Sequence, residues 1–379
     1  MKSILFALYA VFFNFFKLFG VRKNSVVLIS MHNASFNDSL GYMKKEAEKR
    51  GYQTKMITRK DLEIVKDKGA KEFFSSLRNA LRFFTVGAHN VARAKYIFLN
   101  DNFMPMAYAK PSKNTVVVQL WHAQGAFKKF GMDIEVSKKI RKREKKANSR
   151  LTFVVCSSAL IESIYAQAFG VDNSKVLPLG SPCTDYYFEN HNIELLRKSF
   201  DEQYPNCENK KLLLYAPTFR EDKVKDKELL KAFDISQVQK ALGDDYAVLL
   251  RLHPQIHNST GIDISGAIDV TDFENVKELC LLCDVLVTDY SSICMDFSVQ
   301  KKPMIFYAFD LKDYEQSRDF YFDYESYVPG KVAKTMPELV EILENKDFDE
   351  HKNGGFKYFN FGSIDGTASD KVAKAIFPI

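Results

Sequence analysis

From Ser25 onward, short apolar runs alternate with longer segments whose apolar positions recur every three or four residues. The runs at 26–29, 54–57, 96–100, 116–120 and 152–156 read as strands. The segments 39–50, closed by Gly51, 61–68, 71–84 and 160–169, closed by Gly170, read as helices. A polar, irregular stretch over 185–209 follows and predicts a boundary. The alternation then resumes, with strands at 211–216, 247–252, 268–270, 284–287 and 302–307. Helices are predicted at 276–282 and behind Ile293, Phe297 and Val299. Strands and helices joined by short connections make a parallel sheet covered on both faces, so the expectation is an α/β chain of two Rossmann-like lobes.

The first twenty residues break this pattern. Six phenylalanines and Tyr9 crowd a stretch interrupted by Asn14 and Lys17 and followed by Arg22 and Lys23. Its uncharged part, 3–16, is shorter than the roughly 20 residues that span a bilayer, and no small-residue cleavage site follows it. Two readings stay open: an amphipathic helix lying on a membrane surface, or a helix packed on the protein's own core. The expected division is a membrane-associating helix over 1–23, an acceptor-binding domain over 24–185 and a donor-binding domain over 186–379.

Composition changes this picture little. The 379 residues suffice for two full cores, and 46% hydrophobic with 13% aromatic content excludes disorder. The net charge of +6 is modest, but Lys128, Lys129, Lys138, Lys139, Arg141, Lys142, Arg143, Lys145, Lys146 and Arg150 face only Asp133, Glu135 and Glu144. That run is a solvated helix face or a surface for anionic lipid. Phe130 is its one aromatic, too few for bases to stack along it, which argues against nucleic acid. Six cysteines in apolar surroundings read as reduced core residues, and Cys280 and Cys283, without a second such pair, read as packing rather than a zinc site. The Asp347-Phe348-Asp349 triplet, in a charged segment without strand context, carries little weight as a metal motif.

Candidate chemistry gathers at predicted strand ends, where ligands of parallel sheets collect. His122 follows one strand inside Trp121-His122-Ala123-Gln124-Gly125 and is a candidate base, a structural histidine being the alternative. Arg220, His253 and the turn Thr288-Asp289-Tyr290-Ser291-Ser292 follow three strands of the second lobe. An arginine, a histidine and hydroxyls beside the first N–H groups of a helix suit a diphosphate; helix capping by Ser291 or Ser292 is the competing reading.

Residues 120–125, Tyr215-Ala216-Pro217-Thr218-Phe219-Arg220, Arg251-Leu252-His253-Pro254, residues 288–292 and Asp365-Gly366-Thr367-Ala368-Ser369 resemble, in this order, the CDP-glycerol glycerophosphotransferase family of teichoic acid synthesis. The resemblance implies a GT-B-like fold with a cleft between its lobes, no metal and no cofactor, and attachment to the cytoplasmic face of the cell membrane. It implies transfer of glycerol phosphate from CDP-glycerol to an undecaprenyl-diphosphate-linked saccharide; a sequence with little beyond one anchor and two lobes favours a primase slightly over a polymerase. A ribitol-phosphate or sugar transferase is the runner-up, a non-catalytic lipid-binding protein the reading from another class, and a homo-oligomer is allowed. His122 becomes the expected base and His253 the group at the transferring phosphate or the departing CMP. Arg220, Arg251, Thr288, Asp289, Ser291, Ser292, Gln124 and Gly125 become expected substrate contacts. The chain departs from the family pattern at Ala123, where glycine is expected, a change that bears on the His122 loop.

Overall fold

The computed structural model describes residues 2–31, 38–58, 61, 70–220, 223–252 and 264–378. It divides into two compact units, Met1–Asp185 with Asn360–Ile379, and Tyr186–Phe359.

The first unit is built on a six-stranded sheet of β1 (Arg22–Ser30), β2 (Gln53–Thr58), β3 (Ala94–Leu99), β4 (Val116–Gln119), β5 (Phe153–Val155) and β6 (Val176–Leu177), in the order β2-β1-β3-β4-β5-β6. Every pairing is parallel. The run from Val26 to Ser30 is buried at every position, as a strand covered on both faces requires. One side of the core joins Val26, Leu28, Tyr96, Phe98 and Val118 to Leu40 and Met43 of the helix Ser39–Lys49, and to Val372, Ile376 and Phe377.

The last three residues correct the expected domains. Residues 360–379 belong to the first unit, not the second, because the apolar face of the helix Ala368–Ile376 covers the first sheet. Asp185 fixes that helix by accepting hydrogen bonds from the Ala368 and Ser369 N–H groups at 2.9 and 2.8 Å. Nor does 1–23 stand apart. The helix Lys2–Lys17 buries Tyr9 and Phe13, Tyr9 stacks on Phe83 at 4.9 Å, and β1 already begins at Arg22. No described helix is long and apolar enough to cross a membrane.

The second unit holds β7 (Lys211–Ala216), β8 (Tyr246–Leu250), β9 (Ile268–Asp269), β10 (Val285–Thr288), β11 (Met304–Tyr307) and β12 (Lys331–Ala333), all parallel, in the order β12-β11-β10-β7-β8-β9. The strand order reverses between β7 and β10, so the crevice at their carboxyl ends is the topological switch point of this sheet. The corresponding reversal in the first unit lies between β1 and β3. The expected helix over 61–68 lies outside the described residues past Asp61, and β12 was not anticipated from the sequence.

Candidate functional site

In the first unit the site is the loop after β4. Trp121 takes a left-handed conformation, φ 59°, which a bulky residue holds only when its surroundings over-determine it. They do: its ring stacks on Phe130 at 5.1 Å and meets Phe169 edge-on at 5.3 Å, and its backbone N–H donates to Gln119 Oε1 at 3.0 Å. The sharp turn leaves the following His122 exposed. His122 Nδ1 lies 3.1 Å from the carbonyl oxygen of Asn100, at the end of β3. A carbonyl only accepts, so Nδ1 carries the proton and Nε2 carries the lone pair. Asn100 is itself buried and fixed, donating from Nδ2 to Ser30 Oγ at 3.1 Å and to Asp38 Oδ2 at 2.6 Å. An exposed imidazole held from behind in this way keeps His122 a candidate base.

The rest of the loop is tied down. Tyr165 Oη lies 3.1 Å from each of the Ala123 and Gly125 carbonyl oxygens and donates to the pair. Gly125, at φ 68°, is buried and donates to Ser157 Oγ at 3.4 Å; Gln124 lies half-buried beside it. Asn360 is a residue the sequence reading missed. Fully buried, it accepts the Ala126 N–H on its side-chain oxygen at 2.9 Å and the Ser157 hydroxyl on its carbonyl at 2.6 Å.

In the second unit the turn after β10 sits at the switch point, and several expected contacts are corrected. Thr288 is buried and donates its hydroxyl to the Ala216 carbonyl at 2.7 Å. Asp289 is buried too, accepting from the N–H groups of Thr218 and Tyr290 and from Arg220 Nη1 at 2.9 Å. Arg220 gives Nε and Nη2 to Asp310 at 2.7 and 2.9 Å, lies 5.0 Å from the Tyr290 ring, and is 5% exposed. Burial works against its charge, but Asp289 and Asp310 override that and hold its pKa above the ordinary value. Arg220, Thr288 and Asp289 therefore brace the turn. Arg251 likewise donates Nη1 to the carbonyls of Val270 and Phe273, at 2.9 and 2.8 Å, and burial lowers its pKa.

What remains open to a ligand is the tip. Ser291 is half-buried and Ser292 exposed at the start of the helix Ile293–Val299. Across the switch point the hydroxyl of Thr218, which follows β7, is buried without a hydrogen-bond partner among the described residues. An orphaned buried hydroxyl is costly and is explained if a ligand satisfies it. Sequence inspection overlooked Thr218 in favour of the neighbouring arginine; its position directly after Pro217 at a strand end was the available signal. His253 lies outside the described residues.

Among the described residues no group of three or more His, Cys, Asp or Glu is arranged to hold a metal ion. Asp347 and Asp349 pair with Lys331 and Lys352. Cys280 and Cys283 are fully buried, and burial pushes both thiols up, away from reactive thiolate.

With this geometry in hand, the chain was compared with known proteins. The family model described as CDP-glycerol:poly(glycerophosphate) glycerophosphotransferase matches residues 10–378. A teichoic acid poly(ribitol-phosphate) polymerase of Bacillus spizizenii is 31% identical over 97% of this chain and 58% of its own length. A teichoic acid ribitol-phosphate primase of the same organism is 36% identical over 76% of each chain. Among solved structures, a variant of the wall teichoic acid polymerase TagF soaked with CDPG superposes with a TM-score of 0.76 at 25% identity, covering 98% of this chain and 93% of that one. The α/β fold with two parallel sheets is thus that of TagF, and the chain spans a little over half the length of the polymerase relative.

Proposed function

The chain belongs to the CDP-glycerol:poly(glycerophosphate) glycerophosphotransferase family, and from that premise we propose that it transfers a polyol phosphate from a CDP-linked donor to an acceptor hydroxyl, releasing CMP. The observation that carries the reading is the placement of His122 Nδ1 3.1 Å from the Asn100 carbonyl oxygen, which favours the tautomer with its lone pair on Nε2. Nε2 takes the acceptor's proton, the alkoxide forms a bond to the polyol-bearing phosphorus, and the bond from that phosphorus to the CMP oxygen breaks. We assign His122 as the base and Ser291, Ser292 and the Thr218 hydroxyl to the donor's phosphates; the family resemblance implies that His253 acts at the transferring phosphate or the departing CMP.

The family description names CDP-glycerol and both relatives carry ribitol phosphate in their names, so the same phosphate-handling groups serve a shorter or a longer polyol. We take glycerol phosphate as the transferred unit and a lipid-linked saccharide as the acceptor, with a single addition rather than chain extension; the primase relative, matched over 76% of its length, supports the last point. The test is CMP release from CDP-glycerol and CDP-ribitol in competition, with product length read per acceptor. Loss of turnover in His122→Ala with donor binding retained is the expected result. Unchanged CMP release in that variant overturns the reading. No metal requirement is carried over from the family resemblance, and a chelator is expected to leave the rate unchanged.

We further propose that the protein works at a membrane surface. The helix Lys2–Lys17 exposes Ile4, Leu8, Val11 and Phe15 along the side opposite Tyr9 and Phe13, and Leu18 continues the row. The basic helix Lys138–Asn148 adjoins it, with Arg143 5.7 Å from the Phe6 ring, while Lys138, Lys139, Lys142, Lys145 and Lys146 are exposed. Apolar side chains flanked by lysines suit an anionic bilayer surface. Co-sedimentation with phosphatidylglycerol vesicles is expected to fall as salt rises and to be lost in a Leu8→Glu, Val11→Glu double variant; binding that survives both changes overturns the assignment.

A further inference from the structure

The motif Asp365-Gly366-Thr367-Ala368-Ser369 has no role in the reaction as described, yet in the first unit it forms one wall of a cavity of about 300 Å³. The other walls are Ser157 to Ala159 after β5 and Pro178 to Ser181 after β6, with Thr184 at the base. We propose that this cavity is the subsite for the polyhydroxyl end of the acceptor, a sugar or polyol unit presented to His122. The proposal rests on the phosphotransferase reading above and adds where the acceptor sits.

Three observations support it. The first is position. The cavity lies at carboxyl ends of the sheet, where ligands of parallel α/β folds bind, and β5 pairs directly with β4, which carries the His122 loop. Neighbouring strands are about 4.8 Å apart, so the loops that follow β4 and β5 leave the sheet side by side. Ser157 links the two physically, lining the cavity while accepting the Gly125 N–H.

The second is an unused donor. Ser158 is 4% exposed and its oxygen accepts the Leu160 N–H at 3.1 Å, but no described residue accepts its hydroxyl proton. Thr184, 1% exposed, donates to the Ser181 carbonyl at 2.7 Å and keeps acceptor capacity. A buried donor and a buried acceptor lining one cavity are groups that ligand hydroxyls satisfy.

The third is charge. The charged groups of the wall, Asp365 and Lys371, are paired with each other at 2.8 Å, so the lining is close to neutral. A nucleoside diphosphate needs uncompensated cations; an uncharged polyhydroxyl unit does not. Leu179, Ile364 and Phe361 add apolar surface for the C–H faces of such a unit. The walls are also fitted to one another. Gly180 stands at φ 94°, and a Cβ there would come within 2.8 Å of the Ala368 side chain, so the tail and the β6 loop meet in one register.

The test uses the full-length protein and two probes, ribitol and N-acetylglucosamine, the two sources of the same chemistry. Hydrogen exchange of segments 157–160, 178–184 and 361–366 is followed with each probe, and acceptor and donor KM are measured by CMP release. At least one probe is expected to protect these segments, and the protected case tells polyol from sugar. Ser363→Trp, at an exposed lining position, is expected to abolish that protection and raise acceptor KM more than tenfold with donor KM unchanged. Ser158→Ala is expected to raise acceptor KM about fivefold, the effect of one lost hydrogen bond. Absence of protection by both probes, or a rise in donor KM instead, overturns the subsite. Protection without CMP release from any donor leaves a polyhydroxyl-binding cavity but overturns the phosphotransferase reading and, with it, the acceptor assignment.

Discussion

The candidate base is only as good as the residues that hold its loop, and the most remote of these is Asn360. Its side-chain oxygen satisfies the buried Ala126 N–H, four residues past His122. Asn360→Ala leaves that N–H without an acceptor, at a cost of about 1–3 kcal/mol. If the cost is met by the loop shifting, kcat falls about 10- to 100-fold while donor KM stays constant, and Asn360→Asp, which keeps an accepting oxygen, restores the rate. A purely structural role would lower melting temperature in both variants without separating kcat from KM. Arg220 makes the opposite case. It was expected at the phosphate and is found between two carboxylates, buried Asp289 and half-buried Asp310. Replacing it with methionine strands both, and breaking a buried pair from one side costs about 3–5 kcal/mol. Arg220→Met is therefore expected to shift the urea unfolding midpoint strongly, an effect a surface phosphate ligand would not produce.

At the scale of elements, the helix Ser39–Lys49 and the tail helix Ala368–Ile376 are joined by a charge relay with a definite pH signature. Arg50, the residue capping the first helix, pairs with Glu46 and reaches Asp370 at 3.1 Å; Lys49 pairs with Glu46 at 2.7 Å. Burial alone would raise the Glu46 pKa, but the hydrogen bonds from Lys49 and Arg50 outweigh it and hold the carboxyl below its usual 4.5. A carboxyl whose pKa is depressed on folding stabilises fully above its unfolded pKa, and that contribution is lost as pH falls through the folded value. Melting temperature is thus expected to drop below about pH 4.5, and Glu46→Gln, lower throughout, to show a shallower drop over the same window. A parallel pH profile in the variant would show that Glu46 does not anchor the tail. The elements themselves were legible because strand and helix periods differ and Gly51 and Gly170 close helices where they stand. The brace around Arg220 was not: which carboxylates an arginine meets depends on strand order, and residue spacing does not encode it.

At the scale of the whole molecule, the boundary after Asp185 was readable from a change in composition, but the return of the chain at Asn360 was not. The helix Ala368–Ile376 has an apolar face, and periodicity says that such a face is buried without saying on which sheet. The structure puts it on the first, where Val372 is fully buried and Ile376 and Phe377 nearly so. Burying each of these side chains contributes about 1.5–3 kcal/mol, a sum comparable to the 5–15 kcal/mol, roughly, by which a whole domain is stable. Asn360 and the Asp365–Ser369 motif sit on the same segment, so the tail also supplies a loop anchor and a cavity wall to a unit whose other residues lie before position 186. A chain ending at Phe359 is therefore expected to lose the first unit's cooperative unfolding transition while the second unit, Tyr186–Phe359, keeps its own. Supplying residues 360–379 as a separate peptide should restore part of the first transition, because the groove over Leu40, Met43 and Tyr96 is shaped for it. Differential scanning calorimetry of the truncated chain, with and without the peptide, resolves the two transitions. If both survive truncation unchanged, the tail covers the first core without holding it together, and its contribution reduces to placing Asn360 behind the His122 loop.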